Sequence, residues 1–193
     1  MQKIGLLAGV GRLPVDFAFC ARNLGLSVVA IAVLPTVESD LAEASSVYHQ
    51  IGVGQLQLLI DTLRQEEVSQ VTMLGKVTKE LLFSGNVELD GRFQQLLASL
   101  PDQKDDTILL ALVKELAQEG IQVADQTALL KMLLPQPGIL TKRQPTEAEL
   151  ADMDFGLSMA RAIGALDIGQ TVVVKDKAVM AVEAIEGTDA CIR

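Results

Sequence analysis

Near its end the sequence reads "EAIEGTDA" over residues 183–190, with "LDIGQ" over 166–170 shortly before it. Glu183, Glu186 and Asp189 offer carboxylate oxygens, Thr188 a hydroxyl, and Gly187 a backbone that a ligand can approach closely. Such donors suit Mg2+, which takes one or two carboxylates and completes its shell with water and substrate phosphate oxygens. A metal-bridged pyrophosphate fits a loop of this content. A polar turn after a hairpin explains the same residues equally well. Two further constellations lie upstream. "AGVGRLP" (8–14) sets Gly9, Val10 and Gly11 between a strand-like run and a helix-like one, where free N–H groups and a helix dipole favour an anion. "GKV" (75–77) and "KDD" (104–106) add Lys76, Lys104, Asp105 and Asp106 at the ends of other elements. The plain alternatives are a tight turn without ligand, a solvated lysine and a helix cap.

Other chemistries are poorly served. His49 is the single histidine, so a catalytic triad or a His-rich zinc site would have to run through it; it reads as an ordinary strand or loop residue. Cys20 and Cys191 belong to no metal-ligand spacing, and two thiols with no disulfide framework fit a reducing cytoplasm. A dinucleotide fingerprint would need glycine where Pro14 stands and an acid after the second strand, which ends "AVLP". A net charge of −9 repels nucleic acid and excludes a broad basic footprint. No apolar run approaches the roughly 20 residues of a membrane span, and the start, "MQKIGLLAGVGRLP", reads as a first strand and turn, not a signal peptide.

The elements that must position these residues alternate. "KIGLLAG" (3–9) and "SVVAIAV" (27–33) read as buried strands, and "VYHQIG" (47–52) and "QVTMLGKV" (70–77) as the strands that follow. Between them lie helical segments at 13–25, opening on Pro14 and stopping at Gly25, and at 55–66, where Leu56, Leu59, Ile60 and Leu63 share one face. This alternation predicts an α/β fold, a Rossmann-like parallel-sheet domain over residues 1–134. Further helices are expected at 90–100, after Asp105 or Asp106 as cap with Leu109, Leu112, Val113 and Leu116 inward, and at 126–134. Three of the six prolines fall in "PQPGILTKRQP" (135–145), the expected linker. Residues 146–193 then begin a second α+β domain: a capping box at Thr146 and Glu149, a helix to about Ile163, and a hairpin over 171–185 turning at "KDK".

Taken in order, "GLLAGVGRLP", "GKV", "KDD" and above all "IGALDIGQTVVV…VMAVEAIEGTDA" resemble the LpxI-type UDP-2,3-diacylglucosamine pyrophosphatases of lipid A synthesis, across essentially the whole chain. The resemblance implies a two-domain enzyme that hydrolyses UDP-2,3-diacylglucosamine to UMP and 2,3-diacylglucosamine 1-phosphate with Mg2+ or another divalent metal. Substrate would lie between the domains, its acyl chains in an apolar groove, in peripheral contact with the cytoplasmic face of the inner membrane. It also implies roles. Gly9, Val10 and Gly11 would bind a phosphate or sugar oxygen through backbone N–H groups, Lys76 and Lys104 the pyrophosphate, and Gln170 and Thr188 the substrate. Asp189 and Glu186 would be catalytic, with Asp189, Asp105 and Asp106 as metal ligands. Members of the family continue past "EGTDA" into an Arg-x-Asp-Leu-Pro stretch with an essential aspartate. This sequence stops at Arg193 without it, so the expectation is a truncated second domain and little hydrolysis by the chain alone. Exposed hairpin edges would favour a homo-oligomer. Two other functions stay open: a non-catalytic sugar-nucleotide binder and a nicotinamide-linked oxidoreductase.

Overall fold

The computed structural model describes residues 2–77, 87–102, 104–125, 127, 130 and 134–193, with Asp105 described in its backbone only. It divides into two compact units, Met1–Leu134 and Pro135–Arg193.

In the first unit β1 (Lys3–Ala8), α1 (Leu13–Asn23), β2 (Ser27–Ala32), α2 (Leu41–Ala44), β3 (Val47–Gln50), α3 (Leu56–Gln65) and β4 (Gln70–Leu74) are followed by α4 (Gly91–Ala98), α5 (Asp105–Gln118) and β5 (Gln122–Val123). The strands form one parallel sheet in the order β3-β2-β1-β4-β5. The chain winds outward from β1 in one direction and returns to β4 on the other side, so the topological switch falls between β1 and β4. Helices on both faces bury the sheet, which is why β2 reads as a continuous apolar run. Val29 and Ile31 join a core with Leu56, Ile60 and Leu63 of α3, Phe93 of α4 and Leu116 of α5. Val28 and Ala30 face the opposite way, against Val15, Phe17 and Ala18 of α1.

Local chemistry sets the helix ends. Pro14 sits in the first turn of α1, where its missing N–H costs nothing, and Gly25 follows the helix at φ 80°. The Asp90 carboxylate caps two helices at once, accepting the Phe93 N–H of α4 at 2.8 Å and the Gln57 N–H of α3 at 2.7 Å. The start of α5 differs from the sequence expectation. Its N-cap is Lys104, without a side-chain cap bond, and the carboxylate at work is Asp102, which accepts the Lys104 N–H at 3.1 Å. The Thr107 hydroxyl also donates to Asp102, and together these bonds hold the Asp102 carboxyl below its usual range. The buried face of α5 is also turned: Ile108 and Leu116 are buried, whereas Leu109 is exposed. Arg92 of α4 reaches Glu115 of α5 at 2.7 Å and Glu119, the residue that caps the end of α5, at 2.5 Å, and Glu119 also pairs with Arg64 of α3, tying three helices together. The helix expected over 126–134 lies mostly outside the described residues.

One core polar atom stands apart. Among the described residues, the hydroxyl of Thr72, in the middle of β4, is buried without a hydrogen-bond partner. An unmade buried bond costs about 1–3 kcal/mol. Thr72→Val keeps the shape and removes that cost, so the variant should be more stable by about 1 kcal/mol in urea unfolding.

The second unit holds α6 (Glu147–Ala165), β6 (Val172–Lys175), β7 (Ala178–Val182) and α7 (Thr188–Ile192). The capping box forms: Thr146 Oγ1 accepts the Glu149 N–H at 3.2 Å while Glu149 Oε2 accepts the Thr146 N–H at 2.8 Å. Arg143 grips the same carboxylate with both guanidinium arms, at 2.8 and 2.6 Å. Arg143 first, then the Thr146 N–H, lower the Glu149 pKa to about 2. A depressed carboxyl stabilises the fold above its unfolded pKa, and that contribution disappears as pH falls through the folded value. Protection of the Glu149 amide from exchange should therefore fall between about pH 4.5 and 2. In Glu149→Gln it should be low already at neutral pH and flat over that range.

Strands β6 and β7 pair antiparallel, as "KDK" predicts, with Asp176 and Lys177 at φ 52° and 57° in the turn. Asp152 of α6 accepts both turn N–H groups, from Asp176 at 2.9 Å and Lys177 at 2.6 Å, and so fixes the hairpin on the helix. No residue of 135–193 is buried.

Candidate functional site

The first candidate locus lies at the carboxyl ends of the strands, beside the switch point. The turn after β1 and the segment after β4 are stitched by an isolated antiparallel bridge between Val10 and Lys76. Gly9 N–H donates to Leu74 O at 2.8 Å, Val10 N–H to Lys76 O at 3.0 Å, and Lys76 N–H to Val10 O at 2.8 Å. A Cβ on Gly9 would stand 2.6 Å from Lys76 O, and one on Gly75 would stand 2.6 Å from the Gly9 carbonyl carbon. These glycines are explained by the close approach of two loops. The N–H groups of Gly9 and Val10, expected to face a ligand, instead join β1 to β4. Gly11 differs: its φ is 114°, and a Cβ there would meet nothing within 4 Å. Its surroundings are open, and the conformation selects glycine.

Arg12, the next residue, is a cation that sequence reading passed over. Its guanidinium pairs with Asp16 at 3.2 Å and with Asp40, and these carboxylates raise its pKa further. Two acids against one cation leave the turn without a free positive charge of its own. Among the described residues, Lys76 and Lys104 are exposed cations at this end. Helix α5 runs antiparallel to the strands. Its last turn leads through Gly120 to Gln122, which share a polar pocket with Gln2 and Lys3 at the amino ends. Its first turn, with Lys104 and Asp106, therefore lies at the carboxyl end, as does Lys76. Asp105 carries no described side chain.

Beneath these residues is an apolar cavity of about 350 Å3. Gly9, Gly75 and Val77 line it from the loops, Met73 from the sheet, and Phe93 and Leu109 from α4 and α5. Leu109 and Val77, both exposed apolar side chains, open onto the cavity.

The second locus belongs to the other unit and is organised by Glu183. This half-buried carboxylate accepts the Thr188 hydroxyl at 2.8 Å and the Gln170 N–H at 3.3 Å. The Thr171 hydroxyl, then that of Thr188, hold its pKa below the usual range. Its own N–H donates to Thr171 O at 2.9 Å, and a Cβ on Gly169 would fall 2.1 Å from its carbonyl oxygen. Glu183 is thus the brace that closes "LDIGQ" onto "EGTDA". Gln170 enters through its backbone, and Glu186 accepts the Ala184 N–H at 3.0 Å. Asp189, in the first turn of α7, is exposed, as are Glu186 and Thr188. Burial and the nearby carboxylates Glu186 and Glu183 raise the Cys191 thiol, which argues against a thiolate nucleophile. His49 is bonded to Glu66 at 2.9 Å. Among the described residues no three His, Cys, Asp or Glu side chains gather where a metal ion could sit, and no helix is long and apolar enough to cross a membrane.

The pattern described as the LpxI N-terminal domain matches residues 3–133, and that of the LpxI C-terminal domain matches residues 136–193. The chain is 34% identical over 197 aligned residues to the UDP-2,3-diacylglucosamine pyrophosphatase LpxI of Caulobacter vibrioides, covering 100% of this chain and 69% of that protein. Among solved structures it is similar to the UDP-glucose 4-epimerase of Thermotoga maritima (TM-score 0.42, 9% identity, 62% of this chain and 35% of that one). It is also similar to a GalE-like L-threonine dehydrogenase of Cupriavidus necator (TM-score 0.39, 16% identity, 63% and 36%). The chain thus spans about a third of the length of these two structures.

Proposed function

Because this chain belongs to the LpxI family, we propose that it hydrolyses the pyrophosphate of UDP-2,3-diacylglucosamine, giving UMP and 2,3-diacylglucosamine 1-phosphate, in lipid A synthesis at the cytoplasmic face of the inner membrane. The observation that carries this reading is the match of both family domains, in order, along the chain.

The geometry of each unit supports it in part. The substrate joins a polyanion to hydrocarbon chains. In the first unit, exposed Lys76 and Lys104 share one end of the sheet with an apolar cavity of about 350 Å3, within the usual range of ligand pockets. Lysine charge suits the pyrophosphate, and the cavity suits an acyl chain. Gly11, in open surroundings, remains the member of the glycine turn suited to a phosphate or sugar oxygen. In the second unit Glu183 fixes the loop from which Thr188 and Asp189 project. Thr188, whose hydroxyl is already given to Glu183, orders that loop and offers its oxygen as acceptor. We assign the catalytic carboxylate to Asp189, with Glu186 beside it.

Mg2+ needs only one or two carboxylates when substrate phosphates complete its shell, so Asp189 of the second unit, or Asp106 of the first taken by itself, would be enough without a three-carboxylate cluster. A bound divalent ion would lower the pKa of the attacking water and draw charge from phosphorus. The test uses the 193-residue chain with UDP-2,3-diacylglucosamine and Mg2+, following UMP release and the melting temperature. Stabilisation by this substrate beyond that given by UDP-glucose, together with UMP formation, supports hydrolysis. Stabilisation without UMP favours a sugar-nucleotide binder, and the absence of both effects refutes the proposal.

A further inference from the structure

The parallel pairing of β1 with β4 ends at Ala8 and Leu74, yet the chains do not part there. They join again, now antiparallel, at Val10 and Lys76. Gly75, at φ 88°, gives the chain after β4 the turn that this reversal needs. Val10 and Lys76 exchange both N–H···O bonds, at 3.0 and 2.8 Å. In an antiparallel pair of that kind the two side chains stand on the same side. Their neighbours stand on the other. Gly9, Gly75 and Val77 line the apolar cavity, and Val10 and Lys76 do not. The bridge thus turns Val77 into the cavity and keeps exposed Lys76 outside it. A slip by one residue would exchange the two and set an ammonium against apolar walls. Two glycines hold the register. A Cβ on Gly9 would stand 2.6 Å from Lys76 O and 2.9 Å from Val77 Cγ2, and one on Gly75 would stand 2.6 Å from both the carbonyl carbon and oxygen of Gly9. Most of these are backbone atoms, so either methyl would force the two loops apart.

We infer that Gly9 and Gly75 are positioning residues for the pyrophosphate, acting through Lys76. Their contact sets the bridge, and the bridge fixes where the lysine side chain leaves the backbone. This rests on the reading of Lys76 as a pyrophosphate cation. Lysine is a point charge on a flexible stem, and anchoring the root of that stem is ordering that the fold supplies before a ligand arrives. In a chain of net charge −9, attraction for an anion depends on where single cations are held. Arg12, close by in sequence, is already engaged by Asp16 and Asp40. The Gly9 N–H is used on Leu74 O, so this glycine serves an anion through the lysine and not by a bond of its own.

Calorimetric titration of the whole chain with UDP tests this in a double-substitution cycle. Lys76→Ala should weaken UDP binding by about tenfold, and Lys76→Arg, which keeps the charge, by under about threefold. Gly9→Ala should melt several degrees lower and also bind UDP about tenfold more weakly. Gly9→Ala combined with Lys76→Ala should stay within about twofold of Lys76→Ala, because the glycine has no ligand contact to lose. A second measurement needs no glycine variant. UDP should slow hydrogen exchange at the Val10 amide in the parent protein, by stabilising the bridge, and should leave it unchanged in Lys76→Ala. An equal loss from Gly9→Ala in both backgrounds overturns the inference alone. So does Val10 exchange that UDP leaves unchanged in the parent, or slows as much in Lys76→Ala. A parent that does not bind UDP, or a Lys76→Ala variant that binds it as tightly, overturns the reading of Lys76 and the inference with it; hydrolysis itself is judged separately, by UMP release.

Discussion

In the full-length enzyme, alanine at Asp189 should lower the rate of UMP release by about 10²–10³-fold with little change in melting temperature. Asp189 is exposed in the first turn of a short helix, so its removal leaves no buried group unpaired. Loss of one carboxylate that acts on charge developing in the transition state should appear mainly in kcat. The informative partner is Glu183→Gln. Glu183 accepts from Thr188, Thr171 and the Gln170 N–H, so the amide variant should loosen the joint between "LDIGQ" and "EGTDA". It should lose activity and also melt several degrees lower, because the loop rather than the chemistry is broken. The pair separates a reacting carboxylate from a bracing one. If Asp189→Ala retains the parent kcat, Asp189 is outside the site. If it melts as low as Glu183→Gln, its role is structural.

The difference between these two acids was only half legible in the sequence. "EAIEGTDA" announces carboxylates, but its letters do not say which one is used to hold the loop; that depends on Thr171 and Gln170, more than ten residues away. The same limit applies to the glycine turn. Gly9 reads as a phosphate seat because a strand precedes it and a helix follows. The residue that accounts for it is Lys76, brought alongside by the pairing of β1 with β4. Features that close within a few residues were readable. The Thr146–Glu149 box forms as predicted, Pro14 opens α1, Gly25 follows it, and "KDK" turns the hairpin. The parallel sheet was readable too, since buried strands and amphipathic helices alternate with enough repetition to fix the class. Caps and faces set by distant partners were not. Asp90 caps α3 from beyond β4, and nothing near Gln57 signals it.

Phe93→Ala should destabilise the protein by about 3–5 kcal/mol, whereas Leu109→Ala should cost under about 0.5 kcal/mol. Periodicity alone ranks these otherwise, because Leu109, Leu112, Val113 and Leu116 make a convincing helical face. The packing decides differently. Phe93 is 1% exposed and belongs to the core between α3, α5 and the sheet, so its truncation loses both transfer energy and contacts that cannot close over the gap. Leu109 is 47% exposed and opens onto a cavity that already exists, so its truncation creates no new void in a filled region. Urea unfolding of both variants checks this, with the slope unchanged if only stability has moved. Equal losses in the two would mean that α5 buries the face its periodicity suggests. The cavity beneath Gly9 and Gly75 would then be filled in solution, and it would no longer be available to an acyl chain.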